Sequence, residues 1–177
     1  MKPDRSKAGL LRWLAPDLHI DSIYDLNLDA LRRRGIRGII TDLDNTLVGW
    51  TERIPTDRLL KWIADATDAG FRMCIVSNNR SERVRAFSRI VKVPAIWGAR
   101  KPRRRAFREA IRALGLQPGE TAVVGDQIFT DVLGGNRLGL YTILVVPVDR
   151  REFIGTRLAR RLEKFVLRIL KEKGALA

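Results

Sequence analysis

Two carboxylates two residues apart, Asp42 and Asp44, close a run that starts apolar, Ile36-Arg37-Gly38-Ile39-Ile40-Thr41. Residues at that spacing share a side if the chain stays extended. Crowded carboxylates repel and shift each other's pKa unless a cation or a shared proton neutralises them. Every nearby donor is oxygen, so a hard cation such as Mg²⁺ is the matching neutraliser. Taken alone, Asp42-Leu43-Asp44-Asn45-Thr46 also reads as a polar strand-to-helix turn capped by Asn45 and Thr46. Three later clusters carry further chemistry: Ser77 with Asn78, Lys101, and Asp126 with Asp131. Singly, such residues are helix caps or solvated charges.

The elements that must position them follow from the periodicity. Residues 36–41 form an apolar, β-branched run too short for a helix and bounded by Gly35, the pattern of a strand buried on both faces of a parallel sheet. Similar runs at 72–76, 95–97, 121–124 and 141–146 predict four more strands. Helical spacing and breakers predict helices over 28–34, 56–69, 81–90, 103–114, 150–173 and, in shorter form, 131–138. This alternation implies right-handed βαβ units in an α/β, Rossmann-like domain, with a parallel sheet of about five strands covered on both faces. Each polar cluster then falls at the C-terminal end of a strand, the edge where open α/β sheets bind ligands. Residues 1–35 read as an N-terminal extension on the core, 36–148 as the catalytic core and 149–177 as a basic amphipathic C-terminal helix.

Composition narrows the class. With 45% apolar and 31% charged residues in 177, the chain is expected to fold as one domain. The 34 Lys and Arg against 20 Asp and Glu give a net charge of +14, which calls for an anionic partner: a phosphorylated substrate, phospholipid headgroups or nucleic acid. The single cysteine, Cys74, sits in an apolar run as a buried thiol, and the missing disulfide framework fits a reducing compartment. No run approaches the ~20 residues of a membrane span. The apolar stretch 9–14 is broken by Arg12 and is too short for a secretory core. His19 reads as a surface or capping residue and Trp62 as helix-face packing, whereas Trp50 is a flap residue that anchors the flap or touches substrate. Arg103, Arg104 and Arg105 oppose the dipole of the helix they open, which suggests another use for them.

In chain order, these clusters resemble the four motifs of the haloacid dehalogenase (HAD) superfamily of phosphotransfer enzymes. Asp42-Leu43-Asp44-Asn45-Thr46 matches its Asp-x-Asp-x-Thr, Ser77 its second motif and Lys101 its third. Gly125-Asp126-Gln127-Ile128-Phe129-Thr130-Asp131 matches its fourth, Gly-Asp-x-x-x-x-Asp. The resemblance implies that Asp42 is the nucleophile forming an aspartyl-phosphate and Asp44 the acid/base. It implies Mg²⁺ held by Asp42, the Asp44 carbonyl and Asp126, with Ser77 and Lys101 on the phosphoryl group. Asn45, Thr46 and Asn78 are the further phosphate contacts expected, and Asp131 orients water or anchors Lys101. A two-step displacement at a neutralised centre suits phosphate-ester hydrolysis, among the slowest uncatalysed reactions known.

The spacings 47–72 and 77–101 leave no room for a cap domain, so the site is expected to be open. This resembles the capless subclass IIIA. The segment Leu14-Ala15-Pro16, the extended first motif through Val48 and the basic tail resemble the YqeG-type phosphatases, a family that includes the mitochondrial phosphatidylglycerophosphatase. That resemblance implies phosphatidylglycerophosphate as substrate and peripheral binding to an anionic membrane from the cytoplasmic side, with nucleic acid the weaker partner. Two alternatives stand beside it: a soluble phosphatase for a nucleotide, sugar or polynucleotide end, and a non-catalytic binding module on the same scaffold. On a helical wheel Ile154, Leu158, Leu162, Phe165 and Ile169 fill one arc of about 80°, and Arg157, Arg161, Lys164, Arg168 and Lys171 another. The apolar arc either packs on the sheet or faces lipid.

Overall fold

The computed structural model describes residues 11–149 and 157–174. Six parallel strands form one sheet: β1 (Leu18–Ile20), β2 (Gly38–Thr41), β3 (Arg72–Val76), β4 (Ala95–Ile96), β5 (Thr121–Gly125) and β6 (Tyr141–Val145). Their spatial order is β1-β6-β5-β2-β3-β4. The helices are α1 (Leu28–Arg33), α2 (Asp57–Asp68), α3 (Ser81–Val91), α4 (Arg104–Leu114), α5 (Leu133–Asn136) and α6 (Arg157–Glu172). Thr56 opens α2 by accepting the Leu59 N–H, and Gly115 closes α4 in the left-handed conformation that glycine adopts without strain.

Alternation along the strands divides the core. Ile39, Ile75, Ala122 and Val124 face one side, against Leu59, Trp62 and Ile63 of α2 and Val84 and Phe87 of α3. Ile40, Cys74, Val76 and Val123 face the other, against Phe107, Ala110 and Ile111 of α4. Trp62 and Cys74 are thus core residues, as their sequence contexts predict.

Three expectations need correction. First, the sheet has six strands, because the N-terminal extension supplies β1 beside β6. Three residues carry no periodicity of their own. Long-range bonds place them: the Asp17 N–H donates to the Thr142 carbonyl at 2.8 Å, and the Thr142 N–H donates to Asp17 Oδ2 at 2.8 Å. Asn136 Nδ2 fixes the preceding turn by donating to the carbonyls of Trp13 and Ala15. Second, the short helix after β5 starts earlier, as a π-turn over Ile128–Val132 that runs into α5. Third, α6 packs through Glu163, Val166 and Leu170, with Leu144, Ile128 and Val132 in the same cluster, whereas Leu162 and Phe165 face outward and Phe165 is 59% exposed. Leu162 and Phe165, two of the five members of the apolar arc drawn from sequence, are therefore off the buried face. Ile154 lies outside the described residues, as do the side chains of Arg157 and Leu158.

Candidate active site

From β2 the chain moves to β3 and β4 on one side, then returns to β5 and β6 on the other. The C-terminal ends of β2 and β5 therefore flank the crevice at the topological switch point. Asp42 follows β2 and Asp126 follows β5; the Asp42 N–H still donates to the Val124 carbonyl at 2.9 Å, so strand pairing fixes its backbone.

Carboxylate oxygens of Asp42, Asp126 and Asp131 lie within 4.8 Å of one another, all buried. Lys101 reaches into this group: Nζ lies 2.8 Å from Asp42 Oδ1 and donates to Asp131 Oδ1 at 2.8 Å. Burial pushes the Asp42 carboxyl up to about 8, with Asp131 and Asp126 adding to the rise and Lys101 opposing it. For Lys101, burial works against the ammonium, but Asp131 and Asp42 more than offset it and hold the group charged. Three buried carboxylates thus converge beside one ammonium, with oxygen the donor atom throughout. That donor set fits a hard divalent cation.

Asp44 sits apart from this cluster. Its Oδ1 accepts from Arg83 Nε at 3.0 Å, while Oδ2 accepts from Asn79 Nδ2 at 3.2 Å and Ser77 Oγ at 3.5 Å. The strand ends at Thr41, so Asp42 and Asp44 stand on a turn and not on extended chain. Asn45 takes a left-handed φ of 61°, a conformation Asn tolerates, and the Leu47 N–H folds back to the Leu43 carbonyl at 3.0 Å. Arg83 also donates to the Gly49 carbonyl at 3.1 Å, so one guanidinium holds both the Asp44 carboxylate and the flap that follows it.

Three residues expected on phosphate have other partners or geometry. Thr46 Oγ1 donates to Asp126 Oδ1 at 3.3 Å, and Asn78 Oδ1 accepts the Lys101 N–H at 2.7 Å; both brace the charged residues. Asn45 Oδ1 is buried without a hydrogen-bond partner. Thr130 Oγ1 donates to Asp131 Oδ2 at 3.1 Å. Gly125 explains itself by contact: a Cβ there would lie 2.2 Å from Asp131 Cγ, so only glycine lets the Asp131 side chain pack against the end of β5.

Sequence reasoning missed Arg83, Asn79 and Glu163. Asn79 adjoins the Ser77 cluster, which is a usable signal; Arg83 reads as one more solvated helix arginine. Glu163 is buried, and its Oε1 accepts the N–H groups of Ile128 at 2.7 Å and Phe129 at 3.4 Å, at the start of the π-turn that carries Asp131. His19 is no plain surface residue. It is half-buried on β1, where burial lowers its pKa against the pull of Asp21, and it lines a cavity of about 470 Å³ with Asp126, Leu144, Lys164 and Leu167.

Residues 98–147 match the family model described as HAD-hyrolase-like. Over 165 residues the chain is 44% identical to the "Probable phosphatase YqeG" of Bacillus subtilis (strain 168), covering 93% of this chain and 96% of that one. It is 29% identical over 179 residues to "Phosphatidylglycerophosphate phosphatase 1, chloroplastic/mitochondrial" of Arabidopsis thaliana, covering 92% of this chain but only 50% of that longer protein. Among solved structures, the cobalt-bound deoxy-D-mannose-octulosonate 8-phosphate phosphatase of Haemophilus influenzae superposes with a TM-score of 0.53 at 17% identity, covering 79% of this chain and 92% of that one. That likeness concerns the fold. Identity of 44% along nearly the whole of both chains places this chain in the YqeG family of HAD-like phosphatases.

Proposed function

We propose that this protein is a Mg²⁺-dependent phosphomonoester hydrolase that works through an aspartyl-phosphate and removes the terminal phosphate of phosphatidylglycerophosphate. The observation that carries the chemistry is the placement of Asp42 against Lys101, beside Asp126 and Asp131, with Asp44 held across the crevice. Support for the substrate comes from the Arabidopsis relative named for that lipid phosphate, which aligns with 92% of this chain.

The Leu43 N–H and Lys101 both bond Asp42 Oδ1, which leaves Oδ2 to attack phosphorus. As that P–O bond forms, the ester P–O bond breaks and the leaving oxygen takes a proton from Asp44. Asp44 then accepts a proton from water, whose oxygen attacks phosphorus, breaks the bond to Asp42 and releases inorganic phosphate. Ser77 and Lys101 donate to the phosphoryl oxygens as charge moves onto them. Arg83 keeps the Asp44 carboxylate at the crevice between steps. Mg²⁺, held by Asp42, the Asp44 carbonyl and Asp126, would cancel the excess carboxylate charge and let the phosphate approach. This complete set speaks against a non-catalytic scaffold.

Among the described residues no helix is long and apolar enough to cross a membrane. The test is hydrolysis of phosphatidylglycerophosphate in mixed vesicles against a panel of soluble phosphomonoesters, with and without chelator. We expect Mg²⁺-dependent release of phosphate from the lipid with the higher kcat/KM. A preference for any soluble ester, or full activity in chelator, overturns the reading.

A further inference from the structure

We propose that the catalytic edge of the sheet is the surface that lies on the membrane, with Trp50, Ile54, Trp97, Val146 and Val148 entering the headgroup layer and surrounding arginines meeting its phosphates. The inference rests on the lipid-phosphate reading and adds the contact through which the substrate is reached.

Because all six strands are parallel, the loops after β2, β4 and β6 leave from one edge, the edge that carries Asp42 and Asp126. Trp50 and Ile54 follow β2, Trp97 follows β4, and Val146 and Val148 follow β6. All five are exposed, Ile54 at 73% and Val148 at 53%. Single exposed apolar residues need no explanation, but these five share the one sheet edge that carries the crevice. The loops bearing them are tied together. The Val148 N–H donates to the Asn45 carbonyl at 2.9 Å, Arg83 donates to Gly49, and the Gly98 N–H donates to the Asn79 carbonyl at 3.0 Å. The apolar side chains therefore stand on a connected rim.

Charge on the same rim selects the partner. Arg53, Arg80, Arg100, Arg103, Arg104 and Arg105 are exposed there, against Glu52, Asp57 and Glu82. The first turn of α4 holds no acid, so Arg104 and Arg105 oppose its dipole without an intramolecular return. Arg85 lies over the Trp97 ring at 5.3 Å. Indole rings and arginines suit the headgroup layer, where an amphipathic ring and a phosphate partner are both at hand. Ile54, Val146 and Val148 suit acyl chains and offer nothing to a polynucleotide. In this pose the open crevice faces the membrane plane, where a headgroup phosphomonoester stands.

The test compares wild type with Ile54→Glu/Val148→Glu, with Trp97→Ala, and with Arg161→Glu/Lys164→Glu/Arg168→Glu on α6. Sedimentation with phosphatidylcholine vesicles containing phosphatidylglycerol measures docking without substrate; p-nitrophenyl phosphate turnover and thermal melting check folding. We expect the Ile54/Val148 variant to lose at least tenfold in vesicle affinity and in lipid-phosphate hydrolysis, with soluble turnover within twofold of wild type. Trp97→Ala should lose less in the same direction. Unchanged vesicle binding by the rim variants, loss confined to the α6 variant, or loss of polynucleotide rather than vesicle binding overturns the proposal. Wild type that docks through the rim yet leaves phosphatidylglycerophosphate intact would instead overturn the substrate reading alone.

Discussion

Two of the places where the described residues bury carboxylates do so for opposite reasons. In the β2–β5 crevice, Asp42, Asp126 and Asp131 crowd within 4.8 Å around Lys101, and Asp42 is pushed up to about 8. On α6, Glu163 is buried too, but it meets two backbone N–H groups at the start of the turn 128–132. The first arrangement sets carboxylates against one another in an all-oxygen donor set that suits a cation; the second sets a carboxylate against backbone donors. Burial of charge is thus a functional signal where like charges are brought together, and a structural one where a donor meets them.

The largest effect that separates the two is on turnover. Asp42→Asn should lower kcat at least a hundredfold, ~3 kcal/mol of barrier, in a protein that still folds. Residual activity above that level in a steady-state assay would remove Asp42 as nucleophile. Glu163→Ala should do the reverse, costing roughly 1–3 kcal/mol of stability by leaving buried N–H groups unmet, and several degrees in Tm. It should lower kcat only through the loosened turn that carries Asp131, with Glu163→Gln recovering most of the stability. Equal melting temperatures for Glu163→Ala and wild type would show that the contact is not structural.

A smaller effect tests the charge imbalance. A carboxyl raised from 3.8 to about 8 binds its proton more tightly in the folded than in the unfolded state. Its contribution to stability is complete below pH about 4 and is lost as pH rises through about 8. In chelator, wild type should therefore lose stability across that window relative to Asp42→Asn, as pH-resolved denaturant unfolding of the pair would reveal. Mg²⁺ added at pH 7 should release close to one proton per site, and at pH 9 about a tenth of one, read with a pH indicator in weak buffer. The smallest expected signal is at Cys74, where burial and then Glu109 push the thiol up to about 12. At pH 8 only about one part in ten thousand is thiolate, so a thiol reagent should react at the rate of unfolding.

Much of this molecule is legible in the chain alone. Alternating apolar runs and glycine breaks specify five of the six strands. Four clusters, Asp42 with Asp44, Ser77, Lys101 and Asp126 with Asp131, fall at strand ends because local spacing decides which residues leave an element together. Folding decided the rest. Asp44 met Arg83; Thr46 and Asn78 became braces for Asp126 and Lys101; and Leu18–Ile20 joined the sheet through partners more than a hundred residues away. The face of α6 was settled the same way. Leu162 and Phe165 of the apolar arc favoured by its sequence stayed outside while the N–H groups at Ile128 and Phe129 hold Glu163 inward, and a pattern counted along one helix holds no record of a donor supplied by another.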